Sequence, residues 1–428
     1  MSELQCKNFK ERTVQMNRNL IIITDEYPYG RGETFIENER PYWRKFDHVY
    51  ICPVLCSASS TIRPNFQCKE NETLIDDVKD KKIFADFFGA CFGQIGFRHD
   101  SQEIKDGEVL KQKPKELFRR LVVMERARLR TNVRINKIYK KLKTLLRGDC
   151  KNYIYAYWMF EPAMVGTGLK SIIPTERLVS RAHGYDLYEY RHKNQYIPFR
   201  KYTMDNIDRI CPISEDGVKY LHTQYSGRYD PKISVERLGT IKLFDIEEQH
   251  RPEHPVIVSC SNLVALKRVN LIIKALAKCN QKVEWHHFGD GTQEATLKQE
   301  AQKLPNNISV TFHGRVPNQE VQRFYASHCI TALVNVSETE GIPVSIMEAG
   351  SYGIPAIATD VGGTHEIVHD GLNGLLLKKD FSDEELLNAI NIVFSNIERF
   401  REESTKVWEQ LCDATTNYRD FFMKEFRV

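Results

Sequence analysis

Twice along this chain a short apolar run is followed by a helix-like stretch and then by another such run, and this repeated alternation limits the folds open to it. In the first half the runs are 20–24, 48–55, 153–158, 177–180, 208–211 and 233–238; in the second they are 256–260, 283–288, 308–312, 330–336 and 356–359. Runs that are apolar throughout are how strands buried on both faces read. Strands that alternate with helices predict a parallel sheet with helices on each face. Between the two series, 241–255 is charged and carries Pro252 and Pro255, as a linker would. The chain has 428 residues, more than one hydrophobic core serves, since cores stop growing near roughly 250–300 residues. Two doubly wound α/β units in series are therefore expected: a first domain over 1–240, a linker over 241–254 and a second domain over 255–405. Ligands of open parallel sheets sit at the carboxyl ends of the strands, and two such edges facing one another would form a cleft.

The bulk composition excludes several classes of protein. Hydrophobic residues make up 41% of the chain, enough for ordinary cores, and the net charge is only +4, which suits neither a disordered acidic chain nor a nucleic-acid binder. Eleven cysteines are scattered without a CxxC pair or a zinc-ligand spacing, so reduced thiols and no metal site are expected; Cys52 and Cys56 lie four apart but have no partner pair. The first seventeen residues lack the apolar stretch of a signal peptide, and no run reaches the roughly 18 apolar residues of a membrane span. A cytoplasmic protein is expected on these grounds.

The charge is nevertheless unevenly distributed. Segment 111–147 holds fourteen lysines and arginines against Glu116 and Glu125, a balance of +12 that leaves the rest of the chain at −8. Its apolar residues Leu117, Leu121, Met124, Ile135, Ile138, Leu142 and Leu145 recur at helical spacing. Upstream, 83–97 is rich in aromatics and glycine. A basic amphipathic helix beside an aromatic patch suits an anionic membrane surface, although a solvated helix over the core gives the same pattern.

The segment 337–349, Ser-Glu-Thr-Glu-Gly-Ile-Pro-Val-Ser-Ile-Met-Glu-Ala, holds the residues with the most chemical content. Gly341 permits a tight turn, and Pro343 suits a first helical turn, where its missing N–H would have no partner anyway. The free N–H groups of such a turn, with the helix dipole, favour the oxygens of a sugar or a diphosphate. A rise of 1.5 Å per residue puts Glu348 on the order of 8–10 Å from Glu340. That span suits a ligand with a sugar at one end, a ribose at the other and a diphosphate between. Spacing alone also admits a plainer reading, in which Glu340 caps the helix and Glu348 is solvated.

The wider pattern is more specific. Glu340-Gly-Ile-Pro-Val-Ser-Ile-Met-Glu-Ala349, then Gly353-Ile-Pro-Ala-Ile-Ala-Thr-Asp-Val-Gly-Gly363, Glu366-Ile-Val and Gly371-Leu-Asn-Gly374, resembles the signature of the retaining glycosyltransferase family 4. The resemblance runs over most of the chain, is densest over 256–377, and is nearest to bacterial enzymes of capsule or colanic-acid type. It implies the GT-B fold, two Rossmann-like domains across a cleft, with a last helix, about 406–428, returning to the first domain. It also implies a nucleotide-sugar donor, a UDP- or GDP-sugar, and a glycan or polyprenyl-diphosphate-linked saccharide as acceptor. Cofactor and metal are not expected. Such an enzyme would work at the inner face of the cytoplasmic membrane, held there by 83–97 and 111–147.

The same resemblance assigns roles. Glu340 lies at the donor sugar and Glu348 at the ribose, with Gly341, Ile342, Pro343 and Val344 forming the donor-binding turn. Ser180-Arg-Ala-His-Gly-Tyr-Asp-Leu-Tyr188 looks like the first-domain His-Gly motif, which places His183 at the reacting centre and Gly184 and Asp186 in the cleft. Ser259-Cys-Ser-Asn-Leu-Val-Ala-Leu-Lys267 is similar to the strand and loop that clamp the diphosphate. Lys267 is in register there, but Asn262 stands where the family has an arginine, so either Arg268 substitutes or the clamp is weaker. Phe288-Gly-Asp-Gly291 resembles the glycine turn on the donor side, with Gly289 and Gly291. It is a poor dinucleotide fingerprint, because Glu294 occupies the third glycine position. Tyr29-Gly-Arg-Gly-Glu-Thr-Phe35 resembles the first acceptor-side loop, with Gly30 and Gly32. The alternatives are a nucleotide-sugar epimerase or phosphorylase of the same architecture, and a non-catalytic nucleotide-sugar binder.

Overall fold

The computed structural model describes residues 17–428 apart from 31, 58, 65, 77–93, 96–113 and 193–194. In it β1 (Arg18–Thr24), β2 (His48–Pro53), β3 (Glu72–Leu74), β4 (Lys151–Ala156), β5 (Arg177–Ala182) and β6 (Arg209–Pro212) form a parallel sheet in the order β3-β2-β1-β4-β5-β6. A second parallel sheet contains β7 (Val256–Cys260), β8 (Val283–Phe288), β9 (Ile308–Gly314), β10 (Ala332–Asn335), β11 (Ala356–Thr359) and β12 (Gly374–Leu377), in the order β12-β11-β10-β7-β8-β9. Both sheets have the doubly wound order, in which the chain steps outward for three strands and then returns to the other side of the first. The order reverses between β1 and β4 in one sheet and between β7 and β10 in the other. Crevices at the carboxyl ends of those four strands follow from topology alone.

Alternation along β1 shows why the first sheet needs two covering layers. Ile21 and Ile23 face a core shared with Ile135, Ile138 and Leu142 of helix α1 (Pro114–Leu145) and with helix α2 (Glu161–Lys170). Leu20 and Ile22 face the opposite core, whose outer wall is Tyr418, Phe421, Phe422 and Phe426 of the last helix. Three other helices matter below: α3 (Glu215–Gln224), α4 (Val344–Gly350) and that last helix, α5 (Ala414–Phe426). The chain crosses back between domains at Cys412, where Thr240 N–H donates to Cys412 O (2.8 Å) and Ala414 N–H to Thr240 O (3.1 Å). Burying one phenylalanine is worth about 1.5–3 kcal/mol, and α5 buries three against the first sheet. Arg181, fully buried, lies 4.0 Å from the Phe421 ring and donates to Tyr155 Oη at 2.7 Å.

The run 233–238, expected as a strand, makes only an isolated bridge from Ile233 to Ile210. It follows β6 through Ser234 N to Ile210 O (3.1 Å) and Glu236 N to Pro212 O (2.9 Å). On its other side the Glu236 carbonyl is taken by the Arg181 guanidinium at 2.6 Å, so no regular ladder continues. The short edge strands β3 and β12 are absent from the sequence pattern, since three or four residues give too little periodicity to read.

The basic segment is one helix of 32 residues, α1, but its cations do not all face outward. Arg128 is fully buried, Arg134 reaches Glu161 at the start of α2, and Arg120 lies over the Tyr196 ring at 5.1 Å. Arg119, Arg126 and Arg130 on its first half, Lys140 and Lys143 towards its end and Arg147 just beyond it are exposed, as is Phe118 at 68%. The aromatic stretch 83–97 lies outside the described residues except for Gln94 and Ile95. Among the described residues, no helix is long and apolar enough to cross a membrane.

Candidate active site

On the second domain, the loops after β7 and β10 are joined to one another. Glu338 N–H donates to Leu266 O at 2.8 Å, and Lys267 Nζ meets Glu340 Oε1 at 2.5 Å, with Asn335 Nδ2 on the same oxygen at 3.3 Å. Lys267 and Glu340, which sequence placed 73 residues apart, thus form an ion pair at the switch point. Glu340 is 9% exposed and does not cap α4, whose N-cap is Pro343 with no side-chain bond. Asn262 contributes its carbonyl to the turn, accepting from Val264 N–H at 2.9 Å.

Arg268 sits beside Lys267 in a left-handed conformation (φ +49°), and its guanidinium turns to backbone carbonyls. It donates to Val336 O (2.8 Å), Lys379 O (2.7 Å) and Ser337 O (3.2 Å). Through Val336 and Ser337 it braces the loop that carries Glu340, and through Lys379 it ties that loop to the segment after β12. Gly289 and Gly291 lie against the loop after β7. A Cβ on Gly289 would meet Ser261 O at 2.0 Å, and one on Gly291 would meet Leu263 O at 2.4 Å, so only glycine permits this approach.

Glu348 is half-buried on α4, and its Oε1 accepts from Asn318 Nδ2 at 2.8 Å. Burial raises its carboxyl to about 7, partly offset by that bond. Loss of hydration disfavours a buried charge, so a partner that donates hydrogen bonds is favoured there. Gly341, Ile342, Pro343 and Val344 form the turn between the two glutamates, with Ile342 and Pro343 buried.

On the first domain the corresponding edge has another character. His183 follows β5 and is 5% exposed, its ring 4.3 Å from Trp158 and 5.2 Å from Tyr157, with Phe35 beyond at 5.7 Å. Among the described residues neither ring nitrogen makes a hydrogen bond, and Nδ1 lies 3.8 Å from Asp186 Oδ2. Asp186 fixes the loop: Oδ1 accepts from His183 N–H (2.6 Å) and Oδ2 from Met159 N–H (2.5 Å), tying the end of β5 to the end of β4.

Two residues of this edge carried no sequence signal. Glu33, buried and at φ +56°, accepts from the amides of Asp25 (3.1 Å), Glu26 (2.7 Å) and Tyr27 (2.6 Å) and from Trp158 Nε1 (2.6 Å). It organises the loop that contains Gly30 and Gly32, whose carbonyls accept from Arg63. Asp25 follows β1 directly, and its buried Oδ1 has no hydrogen-bond partner among the described residues. Burial, then the charges of Glu33, Asp186 and Glu161, raise its carboxyl to about 8, against a smaller opposing pull from Arg134. Near neutral pH Asp25 is therefore mostly a neutral acid, able to donate a hydrogen bond as well as accept one.

The two edges meet at a pair of glycines. A Cβ on Gly341 would lie 3.3 Å from Gly184 N, and one on Gly184 would lie 3.4 Å from Gly341 Cα and 2.4 Å from Arg191 Nη1. Beside them Arg191 Nη2 donates to Thr339 Oγ1 at 3.2 Å across the gap. His183 and Glu340 each adjoin one of these glycines in sequence, so the histidine loop and the glutamate loop share one crevice.

Two doubly wound parallel sheets whose switch-point edges meet in a shared crevice define a GT-B architecture. Residues 242–407 match the family model for glycosyl transferases group 1. The chain is 28% identical over 257 residues to an uncharacterized glycosyltransferase of Methanocaldococcus jannaschii, covering 59% of this chain and 69% of that one. It is 27% identical over 231 residues to the putative colanic acid biosynthesis glycosyltransferase WcaL of Salmonella typhimurium, covering 52% of this chain and 56% of the relative. Among solved structures, the apo form of the lipopolysaccharide outer core galactosyltransferase WaaB matches with a TM-score of 0.65 at 17% identity, over 96% of this chain and 99% of that one. HepE of Anabaena in complex with UDP-glucose matches at 0.62 and 17% identity, over 96% and 100%.

Proposed function

We propose that this protein is a retaining, metal-independent glycosyltransferase that moves a sugar from a nucleotide sugar to a saccharide acceptor in surface-polysaccharide synthesis. The observation that carries the reading is the Lys267–Glu340 pair on the second domain, set across the Gly184–Gly341 contact from a buried histidine whose ring nitrogens make no hydrogen bond among the described residues. Such a crevice has a cation for a leaving diphosphate, a carboxylate for the sugar, and polar groups held ready in an aromatic wall. UDP is the favoured nucleotide, because the Anabaena structure of the same fold holds UDP-glucose.

In this reading the donor lies along the second sheet edge with its ribose hydroxyls on Glu348, its diphosphate at Lys267 and its sugar at Glu340. Entry of the diphosphate gives Lys267 a second anionic partner beside Glu340. As the bond from the anomeric carbon to the diphosphate oxygen breaks, its electron pair leaves with the phosphate, and Lys267 offsets that charge. The acceptor hydroxyl forms the new bond on the same face, and its proton passes to the departing phosphate oxygen. Glu340 stabilises the positive charge that grows on the sugar ring. His183 and neutral Asp25 hold sugar and acceptor hydroxyls, a contribution of orientation.

The acceptor is a lipid-linked saccharide, presented while the exposed cations and Phe118 of α1 rest on an anionic membrane. Each lysine or arginine near such a surface contributes about 1 kcal/mol. The test is a panel of UDP- and GDP-sugars incubated with membrane extract. Transfer by the wild type, lost in Glu340→Gln and unaffected by EDTA, is expected. Binding of a nucleotide sugar with no turnover at any composition would leave a sensor as the function instead.

A further inference from the structure

Glu366 has no part in the site described above, yet it bonds the two domains together. It closes the short turn Gly362–Glu366 of the second domain, and its carboxylate reaches the start of α3 in the first. There it accepts from the backbone N–H of Glu215 and of Asp216, both at 2.9 Å, and from Arg237 Nη2 at 3.0 Å. The first N–H groups of a helix have no intrahelical partner. Ser214 Oγ satisfies that of Gly217 (3.0 Å), and Glu366 takes the two that precede it. The side chain is only 5% exposed, so its charge depends on these donors. A carboxylate at a helix N-terminus is favoured by the dipole as well as by the bonds.

The turn is also wedged against the sugar-side loop. Gly363 N–H donates to Gly341 O at 2.8 Å, and a Cβ on Gly362 would strike Glu340 O at 2.0 Å. A Cβ on Gly363 would lie 2.7 Å from Gly341 O on one side and 3.1 Å from Ser214 Cβ on the other. One rigid turn thus touches Glu340–Gly341 with its backbone and caps α3 with its last side chain.

We infer that Glu366 is a positioning residue, a clasp between the domains that sets the gap between Gly184 and Gly341 in which the sugar is transferred. The proposal rests on the transferase reading for its consequence but not for its geometry. When the clasp is made, α3, the turn and the Glu340 loop are in register; when it opens, His183 and Glu340 separate while the nucleotide end of the second domain is untouched.

The test compares wild type, Glu366→Gln and Glu366→Ala by hydrogen exchange, small-angle scattering, UDP binding and nucleotide-sugar turnover. In Glu366→Ala the amides of Glu215 and Asp216 should exchange at least about tenfold faster, as loss of charged hydrogen bonds implies, and the radius of gyration should rise. UDP affinity should stay within twofold, while kcat falls about 100-fold, the cost of a misplaced reacting pair. Glu366→Gln, which keeps one acceptor oxygen, should fall between. Should Glu366→Ala fail to fold, Arg237→Gln removes one of the three donors and is read in the same way. Unchanged exchange and radius in a folded variant would overturn the clasp, as would a loss of turnover matched by an equal loss of UDP affinity. If the wild type turns over no nucleotide sugar, the transferase reading fails, and exchange and scattering still decide the clasp.

Discussion

The two sheet edges share a strand order but not a chemistry. The second-domain edge is built from opposed charges, Lys267 against Glu340, with a carboxyl raised to about 7 at Glu348 on the helix that follows. The first-domain edge has an aromatic wall around His183 and a carboxyl, Asp25, that burial and acidic neighbours raise to about 8. In the proposed reading one edge takes an anionic ligand and the other neutral hydroxyls. The same topology therefore supplies two positions without deciding what they bind; the side chains at the loop starts decide it.

The largest effect should come from breaking the charged edge. Lys267→Ala should lower transfer by about 100- to 1,000-fold, the usual cost of one stabilising donor in a transition state, with kcat the measured quantity. A smaller effect is expected on the helix that follows: Glu348→Ala should weaken UDP binding by about 100-fold in calorimetry, as two charge-assisted hydrogen bonds would account for. Affinity left unchanged would remove the ribose role. Membrane attachment should be affected next. Replacing Arg119, Arg126 and Arg130 with glutamine should reduce sedimentation with anionic vesicles by roughly fivefold per residue at low salt, and less so as salt screens the charge.

Asp25 sharpens the contrast through pH. In the fold it keeps its proton up to about 8, whereas its ordinary value is 3.8. Between those values the folded state binds more protons than the unfolded one, so stability must fall as pH rises through that window. Asp25→Asn should flatten the decline in melting temperature between pH 4 and 8, measured by scanning calorimetry. Glu348 contributes a slope of the same sign from 4.5 to about 7, which that variant retains. Transfer by the wild type should also decline above pH 8, where Asp25 ceases to donate, and Asp25→Asn should not show that limb.

The architecture was legible in the sequence because buried parallel strands read as near-continuous apolar runs, as 20–23 and 256–258 do. Edge strands β3 and β12 were not, being too short for periodicity, and 233–238 misled because its apolar residues serve an irregular edge held by Arg181. The charge count over 111–147 overstated the basic surface, since Arg120, Arg128 and Arg134 turn inward. Within the site, Glu340, Glu348, His183 and Lys267 were legible as members of a familiar pattern, but their pairing was not. Glu33 and Asp25 lie eight residues apart, and only the fold shows one gathering three loop amides and the other with an oxygen that has no partner among the described residues. Sequence leaves open whether Arg268 replaces the cation missing at Asn262; the fold adds that its guanidinium donates to three backbone carbonyls.

The most direct test of the account is the rate at which the purified protein releases nucleoside diphosphate from UDP-sugars, with and without membrane extract. The account predicts release that depends on the extract, leaves the transferred sugar with the donor's anomeric configuration, and is lost in Lys267→Ala. Tight nucleotide binding with no release in the presence of any extract, or release that Lys267→Ala leaves intact, would contradict it.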